Sequence, residues 1–87
     1  MNVIGWTKTS DGKAIRRELV MKDFMAAVSL IGRIAELAEA ADHHPDLHLV
    51  GYRKLAIELT THSAGGLTDK DFALAEKIEG LPKELKA

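Results

Sequence analysis

Residues 55–78, which read LAIELTTHSAGGLTDKDFALAEKI, contain a strand, a turn and a helix in succession. Apolar and polar side chains alternate from Leu55 to Thr61, and a period of two predicts a strand with one buried face. The Gly65-Gly66 pair then predicts a turn, after which Thr68 is placed to cap a helix. This stretch therefore predicts a sheet with a helix connected directly to it.

The helix that follows the turn has polar and apolar sides. Asp69 and Asp71 stand in its first turn, where the helix dipole favours negative charge. The helix is predicted to stop near Gly80 and Pro82. Its apolar side comprises Phe72, Leu74, Ala75 and Ile78.

Upstream, residues 22–41 repeat apolar side chains every three to four positions, which predicts a longer amphipathic helix. A glycine in a helix interior costs about 1 kcal/mol relative to alanine, so Gly32 predicts close packing against a neighbour. The breadth of the apolar stripe suits packing on a sheet and against a helix of a second subunit. The stripe predicted to face the core comprises Phe24, Val28 with Ala27, Ile31, Ala35 with Ile34, and Ala38.

Two further strands are predicted before the long helix, at residues 6–9 and 14–21, joined through Asp11-Gly12 as a type I′ turn. Arg17 interrupts the apolar face of the second strand, which consists of Ile15, Leu19 and Met21.

A short strand is predicted between the long helix and residue 55, where Leu47, Leu49 and Val50 follow Pro45. The full order is then β-β-α-β-β-α. Antiparallel strands interspersed with helices in this order predict an α+β fold with two layers. We expect a four-stranded antiparallel sheet with two helices packed on one face.

Composition limits the classes of protein to which the chain can belong. The chain has 87 residues, and this length predicts a single domain over residues 1–87. A net charge of −1 disfavours nucleic-acid binding, which depends on clustered Lys and Arg. The lack of cysteine excludes disulfides and thiolate chemistry. No signal peptide or membrane-spanning run is evident, so a cytoplasmic location without membrane association is expected.

The histidines are the main candidates for chemistry. His43-His44-Pro45 ends the long helix, and His62 ends the last strand just before the double glycine. Side chains at the ends of elements can converge on a pocket beside a rigid scaffold. His48, in contrast, is predicted to be a surface strand residue.

Spacing leaves several interpretations of the histidines open. Glu39 lies four residues before His43, so in a continuous helix its carboxylate can bond the imidazole and fix its tautomer. Alternatively, His43 simply interacts with the helix dipole. Metal binding is disfavoured because HxH and HExxH spacings are absent, and a triad of Ser63, His62 and Asp71 lacks the GxSxG context. We therefore predict a histidine-lined pocket without a metal ion.

Taken together, these residues resemble the pterin-4a-carbinolamine dehydratase family. The family pattern is an acidic residue, three spacers, His-His-Pro, an aromatic residue, a further His and an Asp. In this sequence it reads Glu39, His43-His44-Pro45, Tyr52, His62 and Asp71. The matching segments extend from about Gly5 to Ile78, and they also include Gly5-Trp6, Lys22-Asp23-Phe24, residues 59–62 and residues 65–68.

The resemblance implies an enzyme that removes water from a 4a-hydroxytetrahydropterin and forms the quinonoid dihydropterin. Such enzymes serve pterin recycling for aromatic amino acid hydroxylation, so a pterin-dependent hydroxylase is an expected pathway partner. An acid must protonate the leaving oxygen while a base takes the proton of the adjacent ring nitrogen. Imidazoles suit both tasks near neutral pH. No cofactor is expected, because the pterin is the substrate.

The resemblance also implies a role for each matching residue. His43 and His62 are the expected acid and base, and His44 binds and orients the pterin. Glu39 supports His43, and Pro45 holds the two adjacent imidazoles apart. Further candidates are Lys70, where relatives carry an Arg that contacts the ligand, and the supporting residues Tyr52 and Asp71.

The expected assembly is a homodimer or homotetramer. Family members form these oligomers through sheet edges or helix bundles, and they commonly carry a helix before the Gly-Trp start that this sequence lacks. An alternative function is also open: relatives with this fold act as non-catalytic dimerisation or assembly partners of other proteins.

Overall fold

The computed structural model describes residues 3–87, so the first two positions of the predicted domain lie outside the described residues. The chain order β-β-α-β-β-α is confirmed. The elements are β1 (Thr7–Lys8), β2 (Ile15–Val20), α1 (Phe24–Ala41), β3 (Asp46–Val50), β4 (Lys54–Leu59), a single 3₁₀ turn (His62–Ala64) and α2 (Asp69–Glu79).

The four strands form one antiparallel sheet in the order β1-β2-β4-β3. One face of the sheet carries apolar side chains that join the helices in a single core. The opposite face carries charged and polar side chains together with Val20, Val50 and Ala56, and its residues alternate with the core residues as the period of two requires. The predicted two-layer α+β fold, with both helices on one face, is therefore confirmed. The core side chains of β2 and β4 are Ile15, Leu19, Leu55, Ile57 and Leu59.

The first hairpin is present, but the prediction of a type I′ turn is wrong. Thr9 and Ala14 close the loop through a backbone bond of 2.9 Å, which leaves four residues between them. Gly12 has a positive φ of 71° whereas Asp11 does not, and a type I′ turn requires both. Asp11 instead accepts bonds from the Lys13 N–H and the Thr9 hydroxyl, which lower its pKa. A carboxylate thus organises this loop.

The long helix buries part of the predicted stripe, namely Ala27, Ile34 and Ala38, but its buried face is rotated toward Ala26 and Leu30. Asp23 caps its N-terminus by accepting a bond of 2.8 Å from the Ala26 N–H. Phe24 and Val28, predicted to face the core, are 51% and 42% exposed. The predicted close packing at Gly32 is also not found, since a Cβ there would meet nothing within 4 Å outside its own helix. The buried residues are Ala26, Ala27, Leu30, Ile34 and Ala38.

Arg17, which interrupted the apolar face of β2, reaches the far end of α2. Its Nε donates to Glu79 Oε1 at 2.9 Å, and the indole Nε1 of Trp6 donates to the same oxygen at 2.7 Å. Gly5 has a φ of 91°, and a Cβ there would lie 2.8 Å from the Arg17 guanidinium carbon. A polar link therefore joins the start of the chain, β2 and α2 at the edge of the core.

The segment after α2, residues 81–87, runs back along β2. Glu84 accepts a bond from the Lys22 N–H, and the Lys86 N–H donates to the Val20 carbonyl. Leu85 forms an isolated antiparallel bridge with Met21, which is fully buried. β1 and this C-terminal segment thus cover the two ends of the same edge of β2.

In the part of the chain that the structure describes, neither α-helix combines the length and the hydropathy needed to span a bilayer.

Candidate active site

His43 owes its position to the way α1 ends. Asp42 adopts the left-handed conformation (φ 50°, ψ 43°), which Asp tolerates better than most residues. The His43 N–H then donates back to the Ala38 carbonyl at 3.1 Å, as in a Schellman helix end. The backbone leaves the helix axis at this point, so His43 does not continue the helical spacing.

This helix end changes the expected pairing of Glu39. We predicted that Glu39 supports His43 four residues later, and the structure shows that this is wrong. The Glu39 carboxylate hydrogen-bonds Nε2 of His44. Both side chains are largely exposed, at 76% and 57%, so the pair contributes about 1 kcal/mol or less to stability. The i, i+4 geometry fails because Asp42 is left-handed.

His43 is supported instead by Asp71 of α2. Its Nε2 lies 2.6 Å from Asp71 Oδ1. The Asp71 side chain is completely buried, and the imidazole is only 11% exposed. This is the least exposed pair of an acidic and a basic side chain among residues 3–87.

The second oxygen of Asp71 is also fully used. Its Oδ2 accepts from the Thr61 hydroxyl at 2.8 Å and from the Thr68 N–H at 2.9 Å. Thr61 Oγ1 also lies 2.8 Å from Thr68 Oγ1. Because the Thr61 proton goes to Asp71, the Thr68 hydroxyl must donate to Thr61. Three donors thus surround the carboxylate, and they tie the end of β4 to the start of α2.

This network defines the tautomer of His43. An ionised carboxylate only accepts hydrogen bonds, so Nε2 of His43 carries a proton. The other ring nitrogen, Nδ1, is left to exchange a proton with a ligand. When the ring is doubly protonated, the Asp71 charge stabilises the cation. This arrangement is that of a supported acid–base histidine.

His62 reaches the same place from the end of β4. Thr61 and Gly66 exchange backbone bonds of 3.1 and 3.3 Å around the short 3₁₀ turn, which starts at His62. Gly65 has a φ of 71° and closes this turn. The tight loop holds the His62 imidazole at the surface beside the helix end.

The histidines share a surface groove of about 300 Å³. His43, His44 and His62 all line it, and Lys70 from the first turn of α2 contributes a cation. The predicted convergence of a helix end and a strand end on one cavity is therefore found. The remaining lining residues are Asp42, Thr60, Thr61 and Ser63.

Pro45 lies between the two adjacent histidines and β3, and the expectation that it ends the helix is wrong, because α1 already ends at the left-handed Asp42. The structure does not bring Tyr52 to the groove. Tyr52 occupies the β3–β4 turn, at the opposite end of both strands from His43 and His62, and its side chain is 58% exposed. The predicted supporting role of Tyr52 is thus not met within one chain. His48 is exposed on β3, as predicted.

Sequence reasoning missed the hydrogen-bonding partners of Asp71. The sequence places Asp71 in the first turn of α2, where the helix dipole favours negative charge, and in the structure it also accepts from the Thr68 N–H as a capping residue would. A capping carboxylate has a second oxygen, and a nearby histidine is a natural donor to it. Among residues 3–87, no cluster of three or more metal-ligating side chains has the arrangement of a metal site.

Comparisons with known proteins agree with this geometry. A family profile described as Pterin 4 alpha carbinolamine dehydratase matches residues 1–81. A protein of Arabidopsis thaliana named pterin-4-alpha-carbinolamine dehydratase 2, mitochondrial, is 43% identical over 84 residues. That match covers 94% of this chain and 45% of the plant protein, so the chain spans less than half of that relative. A Saccharolobus islandicus protein, provisionally given the same dehydratase name, is 46% identical over 91% of this chain and 79% of its own.

Solved structures show the same fold. A transcriptional coactivator/pterin dehydratase from Brucella melitensis superposes with a TM-score of 0.82 at 35% identity, covering 88% of this chain and 81% of its own. A pterin dehydratase-like protein, described as a RuBisCO assembly factor in the alpha-carboxysome, has a TM-score of 0.71. Its 14% identity over 86% of each chain supports the fold alone. With the profile match across most of the sequence, the chain belongs to the pterin-4a-carbinolamine dehydratase family.

Proposed function

We propose that this protein removes water from a 4a-hydroxytetrahydropterin and releases the quinonoid dihydropterin. The observation that carries the proposal is the convergence of His43, His44 and His62 on one groove, with buried Asp71 behind His43. In the reaction, the bond between carbon 4a and the hydroxyl oxygen breaks, and that oxygen leaves as water with an added proton. The adjacent ring N–H loses its proton, and its electron pair forms the new C=N bond.

His43 and His62 form the acid–base pair in this proposal. Nε2 of His43 is engaged by Asp71, so the proton is exchanged at Nδ1. The His62 imidazole lines the same groove. An imidazole ring can both donate and accept a proton, so two of them can supply the acid and the base of one elimination.

His44 and Lys70 bind the pterin rather than exchange its protons. Nε2 of His44 is paired with Glu39, so its ring orientation is restrained at the mouth of the groove. Lys70 contributes a cation to the lining of the groove, where it can bond the pterin carbonyl oxygen. The proposed substrate includes the tetrahydrobiopterin derivative produced by aromatic amino acid hydroxylases. The proposed reaction needs no cofactor. A cytoplasmic location of the protein remains a prediction.

The test is turnover of a synthetic 4a-hydroxytetrahydropterin, followed by the absorbance of the quinonoid product. A general acid or base contributes about 100- to 10,000-fold, so His43→Ala and His62→Ala should each lower kcat at least 100-fold. Lys77→Ala, on the exposed side of α2, is the control and should retain full activity. Full activity in both histidine variants would refute the assignment.

A second candidate role is binding to another protein without catalysis. Exposed apolar side chains along α1 favour it, since Phe24, Met25 and Val28 are 51%, 72% and 42% exposed. The Brucella melitensis relative is named as both a transcriptional coactivator and a pterin dehydratase. This role predicts that wild-type protein lacks turnover and that Met25→Glu abolishes association with the binding partner. Turnover that depends on His43 would make catalysis the main role.

A further inference from the structure

A second cavity, of about 330 Å³, adjoins the histidine groove. Thr60 and His62, at the end of β4, line both cavities. The histidine groove takes no part of its lining from the loop between β1 and β2, whereas the second cavity takes most of its lining from that loop. The other polar residues that line the second cavity are Thr9, Ser10, Asp11, Lys13 and Glu58.

The order of the strands explains why the two cavities are neighbours. Because the sheet is antiparallel, the start of β2, the end of β4 and the start of β3 lie at the same end of the sheet, in this order. His43 and His44 precede β3, and Lys13 precedes β2. The two cavities therefore lie on the two sides of the end of β4, and His62 stands between them.

The loop between β1 and β2 is attached to the end of β4. The Thr60 hydroxyl donates to the Lys13 carbonyl at 2.5 Å. Gly66, just after the turn that carries His62, also approaches the loop, since a Cβ there would lie 4.0 Å from Cα and Cγ of Lys13. These contacts hold the wall of the second cavity in a fixed position relative to the histidine groove.

Two carboxylates in the second cavity have an oxygen that can accept hydrogen bonds from a ligand. The bonds that Asp11 accepts from the Lys13 N–H and the Thr9 hydroxyl both end on Oδ1, so Oδ2 can accept from a ligand. These two bonds lower the pKa of Asp11, which keeps the carboxylate ionised at neutral pH. Glu58 accepts from Arg16 through Oε2 at 3.1 Å, and its Oε1 can accept a further bond.

Donors accompany these acceptors in the second cavity. The ammonium group of Lys13 only donates, and the hydroxyl of Ser10 both donates and accepts. Hydroxyl groups of a ligand match this combination, because each of them can also donate and accept. A phosphate or carboxylate group only accepts, and it would face two carboxylates with one cation. The second cavity therefore suits a hydroxylated and uncharged group.

The chemistry of the proposed reaction places one end of the pterin beside this cavity. The ring nitrogen that loses its proton is bonded to carbon 4a on one side and to carbon 6 on the other. When the reacting atoms lie beside His43 and His62, a substituent on carbon 6 starts next to these histidines. It can pass His62 and enter the second cavity while the ring stays in the histidine groove.

We infer that the second cavity binds the substituent at carbon 6 of the pterin and selects a short, uncharged chain that carries hydroxyl groups. Asp11 Oδ2 and Glu58 Oε1 accept hydrogen bonds from these hydroxyls. The inference rests on the proposed dehydratase function for the identity of the ring, and it adds the residues that recognise the side chain.

Two substrates that differ only at carbon 6 test the inference, one with a dihydroxypropyl group and one with a methyl group. The loss of a hydrogen bond to a charged group lowers affinity about tenfold or more. In wild-type protein, kcat/KM should therefore be at least about tenfold higher for the hydroxylated 4a-hydroxytetrahydropterin. Equal values for the two substrates would overturn the inference.

Ser10→Phe fills the second cavity from an exposed position of the loop. It should raise KM for the hydroxylated substrate about tenfold and leave the methyl substrate unaffected, because a methyl group does not reach this cavity. Lys8→Phe, at an exposed position of β1 outside the cavity, is the matched control and should change neither substrate. Equal effects of Ser10→Phe on both substrates, or no effect on either, would contradict the assigned subsite.

Asp11→Asn tests the hydrogen bonding without filling the cavity. The amide oxygen can still accept the bonds that organise the loop, but the charge that faces the cavity is lost. Because hydrogen bonds to charged groups are about twice as strong as neutral ones, the preference for the hydroxylated substrate should fall. An unchanged preference would exclude Asp11 from side-chain recognition.

Binding of stable dihydropterins with the same two substituents, measured by calorimetry, does not depend on turnover. Wild-type protein should bind the hydroxylated compound at least about tenfold more tightly, and Ser10→Phe should remove the difference. Turnover without any preference would refute the subsite alone. A preference in binding without turnover would refute the proposed reaction alone, and a failure of both compounds to bind would refute both.

Discussion

The carboxylate of Asp71 has two roles. Its Oδ2 accepts hydrogen bonds from the Thr61 hydroxyl and the Thr68 N–H, and these bonds join the end of β4 to the start of α2. Its Oδ1 is hydrogen-bonded to Nε2 of His43, which follows the end of α1. The same residue therefore contributes to the fold and orients a histidine of the groove, and a substitution should affect both properties.

We expect Asp71→Asn to lower both stability and turnover. An amide presents an N–H₂ group where one carboxylate oxygen accepted, so at least one buried donor loses its partner, at a cost of about 1–3 kcal/mol. The loss of charge behind His43 should lower kcat about tenfold or more. Chemical denaturation and turnover of the folded variant, measured across pH, check the two effects.

Asp69→Asn provides the matched control, because Asp69 lies in the same first turn of α2 and is exposed. It should change stability by about 0.5 kcal/mol or less and leave turnover unchanged. An Asp71→Asn variant with an unaltered pH profile would show that Asp71 is structural only.

At the scale of the elements, α1 shows how a correct periodicity can define a buried face only in part, since Ala27, Ile34 and Ala38 are buried as predicted while Phe24 and Val28 are not. Apolar residues occur on more than one side of this helix, so a sequence pattern defines the helix without deciding its rotation. The sheet decides it, because Ala26 and Leu30 fit against the core while Phe24 and Val28 remain exposed. Small side chains allow this close packing between layers.

The variants Leu30→Ala and Val28→Ala distinguish the orientation of α1 in the structure from the one expected from the sequence. Leu30 is 2% exposed, so its truncation should cost about 2–5 kcal/mol in the free energy of unfolding. Val28 is 42% exposed, and its truncation should cost about 0.5 kcal/mol or less. Urea titration of both variants measures the difference. Equal losses, or a larger loss for Val28→Ala, would contradict the orientation found in the structure.

The alternation in β4 and the caps of α2 were readable from the sequence because both depend on local chemistry. The pairing of Glu39 was not, since it depended on whether Asp42 would leave the helical conformation. The residue at which a helix ends is determined by small differences in free energy between the helical and left-handed conformations of single residues.

The long-range contacts of the site were also beyond local patterns. Asp71 meets His43 across 28 positions of sequence, and only the packing of α2 beside the end of α1 brings them together. Tyr52 shows the converse case: a residue that belongs to the family pattern lies at the opposite end of the sheet. Convergence of His43 and His62 was nevertheless predictable, because both stand at the ends of elements.

At the scale of the whole molecule, one edge of the sheet is closed by segments from opposite ends of the chain. β1 pairs with one end of β2, and residues 84–86 cover the other end. Lys83 fixes the second segment by donating to the carbonyls of Ile78, Glu79 and Leu81. The C-terminal segment is therefore part of the sheet edge.

Removal of residues 82–87 should destabilise the protein. It deletes two backbone bonds to β2, worth about 1 kcal/mol each, and it uncovers Met21, which is fully buried. We expect a lower denaturation midpoint together with self-association at micromolar concentration, because a second strand edge becomes free. Denaturant titration and light scattering check this, with removal of Ala87 alone as the control. An unchanged midpoint would contradict the structural role of the segment.

The position of Glu84 and Lys86 beside β2 also has a consequence for biosynthesis. As the nascent protein emerges from the ribosome, α1, β3, β4 and α2 can all assemble while Met21 is still without its cover. This edge of the sheet is completed only when residues 84–86 have cleared the exit tunnel. Until then the partly folded chain exposes an unpaired strand edge, to which chaperones and neighbouring nascent chains can bind.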